Sequence, residues 1–550
     1  MKQLIECVPN FSEGVDLSII KQITDSIESV EGIRLLNVDP GKATNRTVVT
    51  FVGEPGQVIE AAFRAISMAA KLIDMSKHKG EHPRMGATDV CPLIPISNIT
   101  IEETVLYSKK LAERVGRDLK IPIYLYEASQ SILSRKNLSV IRSGEYEGFF
   151  EKIKLPEWKP DFGPQEFNKL SGASVIGVRD FLVAYNVNLN TTSVRRANSV
   201  AFDIRENGRK IKNEKGEEIV QPGICKSVKA IGWFIEEYGI AQVSMNLTNI
   251  NVTPLHIAFD ECEKSAIKRG MRVTGSEIVG LLPLKALTDA GKFFLEKQNR
   301  SSGVSERELV RIAVKSFGLD ELSPFNPDER IIEYMLKEKY DEKLIRMTLS
   351  DFADETASES PAPGGGSISA YIGALGVSLG TMVANLSSVK KGWEDKWKDF
   401  SIWAEKGQQV KTSLLSLVDE DTKAFNTIMN TFSMPKSTEE EKSLRAKALE
   451  AATHYAIEIP LKVMKLSLES MEIIRAMAEK GNPNSVSDAG VGALCARSAV
   501  IGAYLNVKIN SAGLKDTDYK EKVLKEAEII RKSAIKIEEE ILFTVEQKMV

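Results

Sequence analysis

Short apolar runs alternate with helical patterns along the first third of the chain. The runs LIECVP, IRLLNV, TVVTFV, VCPLIPI and IPIYLYE predict strands, because each is brief and is bounded by turn residues. Apolar residues recur at helical spacing over residues 20–30 and 57–73, and Asp16 is placed to cap the first of these helices. The order β-α-β-β-α-β is typical of a split βαβ, or ferredoxin-like, unit.

A similar order recurs after residue 180. FLVAYNVNL predicts a strand, residues 191–205 a helix, SVKAIGWFI and AQVSMNL a pair of strands, and residues 254–268 a further helix. We therefore predict two related α+β subdomains, which occupy residues 1–181 and 182–328.

The pattern changes after about residue 330. The charged run KEKYDEKL predicts a linker over residues 329–345. Beyond it only helical periodicity is evident, and Ser437 with Glu440 predicts a capping box that opens a long helix. The predicted fold is therefore multidomain: two α+β ferredoxin-like (split βαβ) subdomains followed by an all-α helical bundle domain over residues 346–550.

One stretch without charged residues, residues 360–389, is long enough to span a bilayer. It is interrupted by Pro361, Pro363 and consecutive glycines, which favours a buried helix of the bundle and no membrane insertion. The start of the chain has no apolar segment typical of a signal peptide. The five cysteines are far apart and show no CxxC spacing, which argues against a disulfide framework or a zinc site and favours a cytoplasmic location.

The overall charge is almost balanced, with 73 basic and 76 acidic residues and a formal net charge of -3. Such a chain has no basic field for nucleic acid. Local anion-binding sites are still compatible with this composition.

The densest group of reactive side chains lies in HKGEHPRMGATDVCP, residues 78–92. Glycine and proline indicate a loop, and a histidine such as His82 on a loop can exchange protons near neutral pH. A solvated charged turn is the alternative interpretation. Metal ligation is less favoured, because no third histidine or paired cysteine lies nearby in sequence.

Three further segments carry candidate chemistry. NVDPGKATNRT, residues 37–47, follows a strand and places Asp39, Asn45 and Arg46 at strand ends, where Arg46 could bind a carboxylate, although ordinary turn chemistry explains them too. PAPGGGS, residues 361–367, precedes a helix, and is either an anion site or a hinge.

The third segment is LLSLVDEDTKAFNTIM, residues 414–429. Helical periodicity places Asp421 on an apolar stripe with Leu414, Leu417, Val418, Phe425 and Ile428, and places Asp419 on the polar face. Burial tends to raise the pKa of a carboxyl group, which suits Asp421 to the role of a general acid. An aspartate paired with a neighbouring helix is the alternative.

Together these motifs resemble one family. VPNFSEG, TNRT and HKGEHPRMGATDVCP resemble the N-terminal subdomain of glutamate formimidoyltransferase, PDFGPQEFNKLSGASVIGVRDFLVAYNVNL its folate-contacting segment, and SPFNPDERIIEY the end of its second subdomain. PAPGGGS, VDEDTKAF and GAYLNVKIN resemble formimidoyltetrahydrofolate cyclodeaminase. Their order is that of the fused formimidoyltransferase-cyclodeaminase family.

This resemblance implies a bifunctional folate enzyme of histidine degradation. The formimidoyl group of N-formimidoyl-L-glutamate would pass to tetrahydrofolate, and the product would cyclise to 5,10-methenyltetrahydrofolate with release of ammonia and without a metal. The family implies His82 and Asp421 as catalytic residues, a ring-like homo-oligomer of dimers, and polyglutamylated folate as co-substrate. Residues that match its substrate-binding and folate-binding motifs are Asp39, Asn45, Arg46, Gly163, Pro164, Gln165, Glu166, Phe167, Asn168, Lys169, Leu170, Ser171 and Gly172.

Three alternatives stay open at this point. The C-terminal bundle could be a structural or oligomerisation module attached to a transferase. The whole chain could be a non-enzymatic scaffold, which would leave the His82 loop without a purpose. The donor could carry a formyl group, which differs from formimidoyl by O in place of NH.

Overall fold

A computed structural model of the protein describes residues 3–42, 44–80, 83–212, 216–336, 343–514 and 516–549. Within this part of the chain two compact units are present. The first, which we call the α+β unit, comprises residues 1–286 and 317–336. The second, the helical unit, comprises residues 287–316 and 337–550.

The first sheet of the α+β unit has the strand order β3-β4-β1-β5-β7-β6, with β2 also between β4 and β5. Strand β7 pairs in parallel with β5 and β6, and the other pairs are antiparallel. Its strands are β1 (Leu4–Cys7), β2 (Asn10–Phe11), β3 (Arg34–Gly41), β4 (Arg46–Gly53), β5 (Thr88–Ser97), β6 (Ile123–Glu127) and β7 (Ser174–Val178).

Helices cover this sheet and bury apolar side chains against it. They are α1 (Leu17–Glu28), α2 (Pro55–Leu72), α3 (Ile101–Asp118), α4 (Leu138–Arg142) and α5 (Glu145–Lys152). The predicted cap of α1 is confirmed, because the Asp16 carboxylate accepts hydrogen bonds from the backbone nitrogens of Ser18 at 2.8 Å and Ile19 at 3.4 Å. The predicted strands IRLLNV and TVVTFV are confirmed as β3 and β4, which pair antiparallel as a hairpin.

The second sheet of the α+β unit is antiparallel with the order β11-β12-β8-β13. Strands β9 and β10 form a separate hairpin. The strands are β8 (Val183–Leu189), β9 (Arg209–Lys212), β10 (Glu218–Gln221), β11 (Val228–Ile235), β12 (Ile240–Leu247) and β13 (Val273–Val279). The helices of this unit after β8 are α6 (Val194–Ile204), α7 (Leu255–Ile267), α10 (Pro327–Arg330) and α11 (Ile332–Leu336). Between α7 and α10 the chain forms α8 (Leu284–Lys297) and α9 (Glu306–Phe317), which lie mainly in the helical unit.

The helical unit contains long helices that pack around one apolar core. Beyond residue 343 they are α12 (Leu349–Thr356), α13 (Gly365–Ser388), α14 (Trp397–Phe432), α15 (Glu439–Lys480), α16 (Val486–Ser511) and α17 (Thr517–Met549). Helix α13 contacts α14, α15 and α16. A Cβ on Gly376 would lie 2.9 Å from the carbonyl oxygen of Gly492, so small residues permit the close approach of α13 and α16.

Among the described residues, Gly365–Ser388 and Pro483–Ser511 are long and apolar enough to cross a membrane. In the first, 61% of the apolar window is buried inside the protein, as a core helix requires. The predicted capping box is displaced by one residue: Thr438 caps α15, with Glu441 as its partner. Residues 337–342, most of the charged run that predicted a linker, lie outside the described residues.

Candidate functional site

A cavity of about 710 Å³ opens in the α+β unit. Three segments line it: residues 75–80, Arg84, and residues 144–147 at the start of α5. The lining carries the basic residues Lys77, His78, Lys79 and Arg84 together with the carboxylates of Glu145 and Glu147. Such a mixed lining can bind a small molecule that has both anionic and hydrogen-bond donor groups.

Both ring nitrogens of His78 are engaged. The Nε of Arg84 donates to Nδ1 of His78 at 3.2 Å, and Nε2 of His78 lies 2.9 Å from the carbonyl oxygen of Asn45. Because a guanidinium only donates, Nδ1 accepts, and Nε2 carries the hydrogen that reaches Asn45. In this arrangement His78 has no free nitrogen for proton transfer to a substrate.

Arg84 is buried and held by two carboxylates of the facing segment. Its guanidinium bonds Glu145 at 3.0 Å and Glu147 at 2.6 and 2.9 Å. The hydrogen bond from Arg84 lowers the pKa of the Glu147 carboxyl. These ion pairs join two of the segments that line the cavity, and the sequence pattern did not predict them. The acidic, glycine-flanked stretch GEYEG at 144–148 was the available signal.

Asn45 joins the VPNFSEG segment, residues 8–14, to the His78 segment. Its side-chain oxygen accepts from the backbone nitrogen of Gly14 at 3.0 Å, and its Nδ2 donates to the carbonyl oxygen of Lys79 at 2.9 Å. Its φ of 45° lies in the left-handed region, which asparagine tolerates. Arg46 and Asp39 are not lining residues of the cavity.

His82 and Glu81, the centre of the sequence prediction, lie outside the described residues. Gly80 and Arg84, which stand on either side of them in the sequence, both line the cavity. A Cβ on Gly80 would lie 2.3 Å from the carbonyl oxygen of Thr44, so this glycine permits the segment to pack against the turn before β4.

The predicted folate segment, residues 163–172, lies beside the cavity, because two residues of the cavity lining are hydrogen-bonded to it. The hydroxyl of Tyr146 donates to the carbonyl oxygen of Lys169 at 2.6 Å. The backbone nitrogen of Met75 donates to the carbonyl oxygen of Leu170 at 2.9 Å. The ring of Phe167 contacts the ring of Tyr146, with centroids 5.3 Å apart. The side chains of Lys169 and Leu170 are exposed.

A second arrangement lies in the helical unit, where the PAPGGGS motif meets the VDED motif. The backbone nitrogen and the hydroxyl of Ser367 donate to Oδ2 of Asp421 at 2.9 and 3.3 Å. A Cβ on Gly366 would lie 2.2 Å from Oδ1 of the same carboxylate. The anion at the N-terminus of α13 is thus a side chain of this protein, and glycine is needed beside it.

Two opposed effects act on the Asp421 carboxyl. Burial raises its pKa, whereas the hydrogen bonds from Ser367 lower it, and the net change is upward. A carboxyl group with these properties can donate a proton to a leaving group and take one back. Among the residues that the structure describes, no group of three His, Cys, Asp or Glu side chains could hold a metal ion.

The prediction that Asp419 is exposed on a polar face is wrong. Asp419 is 8% exposed, and its carboxylate accepts from the backbone nitrogens of Leu344 at 2.9 Å and Ile345 at 3.5 Å. Residues 344 and 345 pack against this side of α14, a contact that helical periodicity alone could not predict. Phe425, placed on the apolar stripe, is 38% exposed.

Comparison with known proteins covers nearly the whole chain. Family models match the formiminotransferase domain, N-terminal subdomain, over residues 4–179, the formiminotransferase domain over residues 184–337, and formiminotransferase-cyclodeaminase over residues 348–529. The formimidoyltransferase-cyclodeaminase of Dictyostelium discoideum is 43% identical over 536 residues, which is 97% of each chain. The chain belongs to the formimidoyltransferase-cyclodeaminase family.

Shorter relatives of this family member match parts of the chain. The glutamate formimidoyltransferase of Streptococcus pyogenes is 41% identical over 299 residues, 54% of this chain and 95% of its own. The methenyltetrahydrofolate cyclohydrolase of Methylorubrum extorquens is 37% identical over 202 residues, 37% of this chain and 97% of its own. The fused chain therefore combines two parts that each resemble a separate folate-related protein.

Proposed function

We propose that the chain is a bifunctional enzyme that transfers a formimidoyl group from N-formimidoyl-L-glutamate to tetrahydrofolate, and then cyclises the product to 5,10-methenyltetrahydrofolate with release of ammonia. The observation that carries this proposal is the 43% identity with a formimidoyltransferase-cyclodeaminase over 97% of both chains. The test is to supply the full chain with both substrates and to measure glutamate, ammonia and methenyltetrahydrofolate. Parallel reactions with N-formyl-L-glutamate decide between the formimidoyl and formyl donors.

Transfer would take place in the 710 Å³ cavity of the α+β unit. N5 of tetrahydrofolate attacks the formimidoyl carbon, a base removes the N5 proton, and the nitrogen of glutamate is protonated as it leaves. The ammonium groups of Lys77 and Lys79 suit the carboxylates of the donor, while Arg84 is held by Glu145 and Glu147. Since both nitrogens of His78 are engaged, we assign the proton transfers to His82.

Folate would lie against residues 163–172, next to this cavity. The bonds from Tyr146 to Lys169 and from Met75 to Leu170 support the assignment, because they tie the segment to the lining. The exposed Lys169 is available to the glutamate tail of a polyglutamylated folate. Asn45 orders the cavity, and we propose that Arg46 and Asp39 support that turn.

Cyclisation would take place at Asp421. N10 attacks the formimidoyl carbon and loses its proton, and the amino group leaves as ammonia after protonation. The carboxyl of Asp421, whose pKa burial raises, is suited to supply that proton. The contacts with Ser367 and Gly366 hold it in one position, which favours this assignment over a structural role for the bundle.

A second candidate activity for the helical unit is hydrolysis of 5,10-methenyltetrahydrofolate. The relative from Methylorubrum extorquens is a methenyltetrahydrofolate cyclohydrolase, and its match of 202 residues fits the domain predicted at 346–550. Both reactions form a tetrahedral carbon between N5 and N10, so one acid/base group could serve either. Supplying 5,10-methenyltetrahydrofolate alone and measuring 10-formyltetrahydrofolate separates the two.

The finer architecture is also part of the proposal. The orders β3-β4-β1-β5 and β11-β12-β8-β13 support two ferredoxin-like subdomains. The family matches at 4–179, 184–337 and 348–529 support domains close to the bounds 1–181, 182–328 and 346–550. We infer a cytoplasmic enzyme of histidine degradation that does not insert into membranes and uses no metal.

We further propose a homo-oligomer built from dimers. Adjacent helices α13 and α16 expose Leu375 and Leu494, which are 44% and 41% exposed, on surfaces with few charges. Two copies of such a face are self-complementary. Light scattering on Leu375→Glu and on Leu494→Glu should show a smaller assembly than the wild type, whereas an unchanged mass would exclude this face.

A further inference from the structure

A second cavity, of about 460 Å³, lies within the helical unit between the loop of residues 300–304 and helices α13 and α14. The charged lining residues that the structure describes are Arg300 and Lys411, and no carboxylate is among them. Hydroxyl and amide groups line one side, and Met382 and Leu386 form part of an apolar wall.

Hydrogen bonds hold the walls of this cavity in place. The hydroxyl of Ser301 donates to Oδ1 of Asn385 at 2.7 Å, and the carbonyl oxygen of Gly303 accepts from Asn385 at 2.8 Å and from Gln408 at 3.1 Å. A Cβ on Gly303 would lie 2.2 Å from that of Ala404, so the loop packs directly on α14. The cavity is therefore formed before any ligand arrives.

The two cations lack carboxylate partners. The Nζ of Lys411 donates to Oε1 of Gln408 at 2.5 Å, and within the described chain no salt bridge joins Lys411 or Arg300 to an acid. The carboxylate that Arg300 influences, Glu308, is already bonded by Arg311 at 2.5 and 2.7 Å. Burial lowers the pKa of Lys411, which reflects the cost of a half-buried cation without a counter-charge.

We propose that this cavity binds a small organic dianion, a dicarboxylate or a phosphate monoester, with its charges at Arg300 and Lys411 and its carbon body against Met382 and Leu386. The guanidinium of Arg300 and the ammonium of Lys411 suit two oxyanion groups, and an apolar wall favours a ligand with carbon atoms over an inorganic ion. Lys411 precedes Asp421 by ten residues on α14, about 15 Å along the helix, so this site is separate from Asp421.

Calorimetric titration of the full chain tests the proposal, with glutarate as the dicarboxylate and phenyl phosphate as the phosphate monoester. Sodium chloride at equal ionic strength is the reference. We expect binding of one or both probes. Their relative affinities show whether the cavity prefers a dicarboxylate or a phosphate monoester. Lys411→Gln should weaken binding by about tenfold or more, as loss of a charge-assisted hydrogen bond does. Lys411→Arg should keep most of the affinity.

The matched control is Lys398→Gln, an exposed lysine on the same helix, which should bind both probes as the wild type does. Circular dichroism verifies folding, and Arg300→Gln is the second variant if Lys411→Gln does not fold. Absence of binding above the chloride reference, or equal affinity in wild type, Lys411→Gln and Arg300→Gln, would overturn the proposal. No folate is present in this assay, so its result is independent of the proposed enzymatic function.

Discussion

The backbone N–H of Ser367, in the first turn of α13, donates a 2.9 Å hydrogen bond to Oδ2 of Asp421 on α14. The positive end of the helix dipole and this donor stabilise the carboxylate, while burial favours the protonated form. Two motifs 54 residues apart thus meet in one acid/base group. This contact favours an anion site at PAPGGGS over a flexible hinge, because the motif binds the Asp421 carboxylate.

The glycine beside this carboxylate provides a matched pair of variants. Gly366→Ala places a methyl group 2.2 Å from Oδ1 of Asp421, so the carboxylate must move and ammonia release should fall at least about tenfold. Gly365→Ala places its methyl group 3.4 Å from Asn506, an ordinary contact, and should leave ammonia release near the wild-type rate. Equal rates in the two variants would show that the position of this carboxylate does not matter.

Asp419 should prove structural. Asp419→Asn weakens the acceptor for the Leu344 and Ile345 nitrogens, and should lower the free energy of unfolding by about 1–3 kcal/mol. The deamination rate of the folded fraction should stay close to that of the wild type. Thermal unfolding and an ammonia assay on the same preparation test this. A variant of normal stability that releases no ammonia would assign Asp419 to the chemistry instead.

His78→Ala should affect binding more than proton transfer. It removes the acceptor for Arg84 and the donor to Asn45, so the cavity loosens and the KM for formimidoyl-glutamate should rise. The pH dependence of kcat for transfer should keep its shape, because His78 has no free nitrogen for the reaction. Loss of one limb of that pH profile would identify His78 as the acid/base group and remove the role from His82.

Glu6 makes the stability of the α+β unit depend on pH. Burial raises the pKa of this carboxyl from 4.5 to about 7, against the opposing charge of Arg179. The folded state then holds the proton more tightly than the unfolded state does. The free energy of unfolding should therefore fall by about 3 kcal/mol as the pH rises from 4.5 to above 7.

Glu6→Gln should abolish this fall, while Glu28→Gln, at an exposed position of α1, should keep it. Urea unfolding of the full chain at several pH values measures the effect. If the wild type and Glu6→Gln show parallel pH profiles, the buried carboxyl of Glu6 does not control this dependence.

Sequence patterns predicted the features that depend on interactions between residues close together in the chain. The cap at Asp16, the hairpin of β3 and β4 and the long helix around Asp421 all follow from spacing within a few residues. The displaced cap of α15 shows the limit of such patterns, because two S/T-x-x-E pairs overlap there. Glu441 accepts from the backbone nitrogens of both Ser437 and Thr438, and only the geometry of Thr438 completes the box.

Contacts between distant segments could not be predicted in this way. Strand β7 pairs in parallel with β5, which ends 77 residues before β7 begins. No turn motif in the sequence could predict this pairing, because the two strands are not joined by a turn. The burial of Asp419 depends on residues 344 and 345, and the ion pairs of Arg84 depend on residues 145 and 147. Each joins segments whose proximity is a property of the whole fold.

Separate catalysis by the two halves is the central claim, and one assay with two variants tests it most directly. His82→Ala and Asp421→Ala, checked by circular dichroism, are each supplied with formimidoyl-glutamate plus tetrahydrofolate, and separately with 5-formimidoyl-tetrahydrofolate. We expect His82→Ala to lose transfer by about 100- to 10,000-fold and to release ammonia normally from 5-formimidoyl-tetrahydrofolate. Asp421→Ala should accumulate 5-formimidoyl-tetrahydrofolate and release no ammonia from either supply. Loss of both activities in either folded variant, or ammonia release by Asp421→Ala at the wild-type rate, would contradict the account.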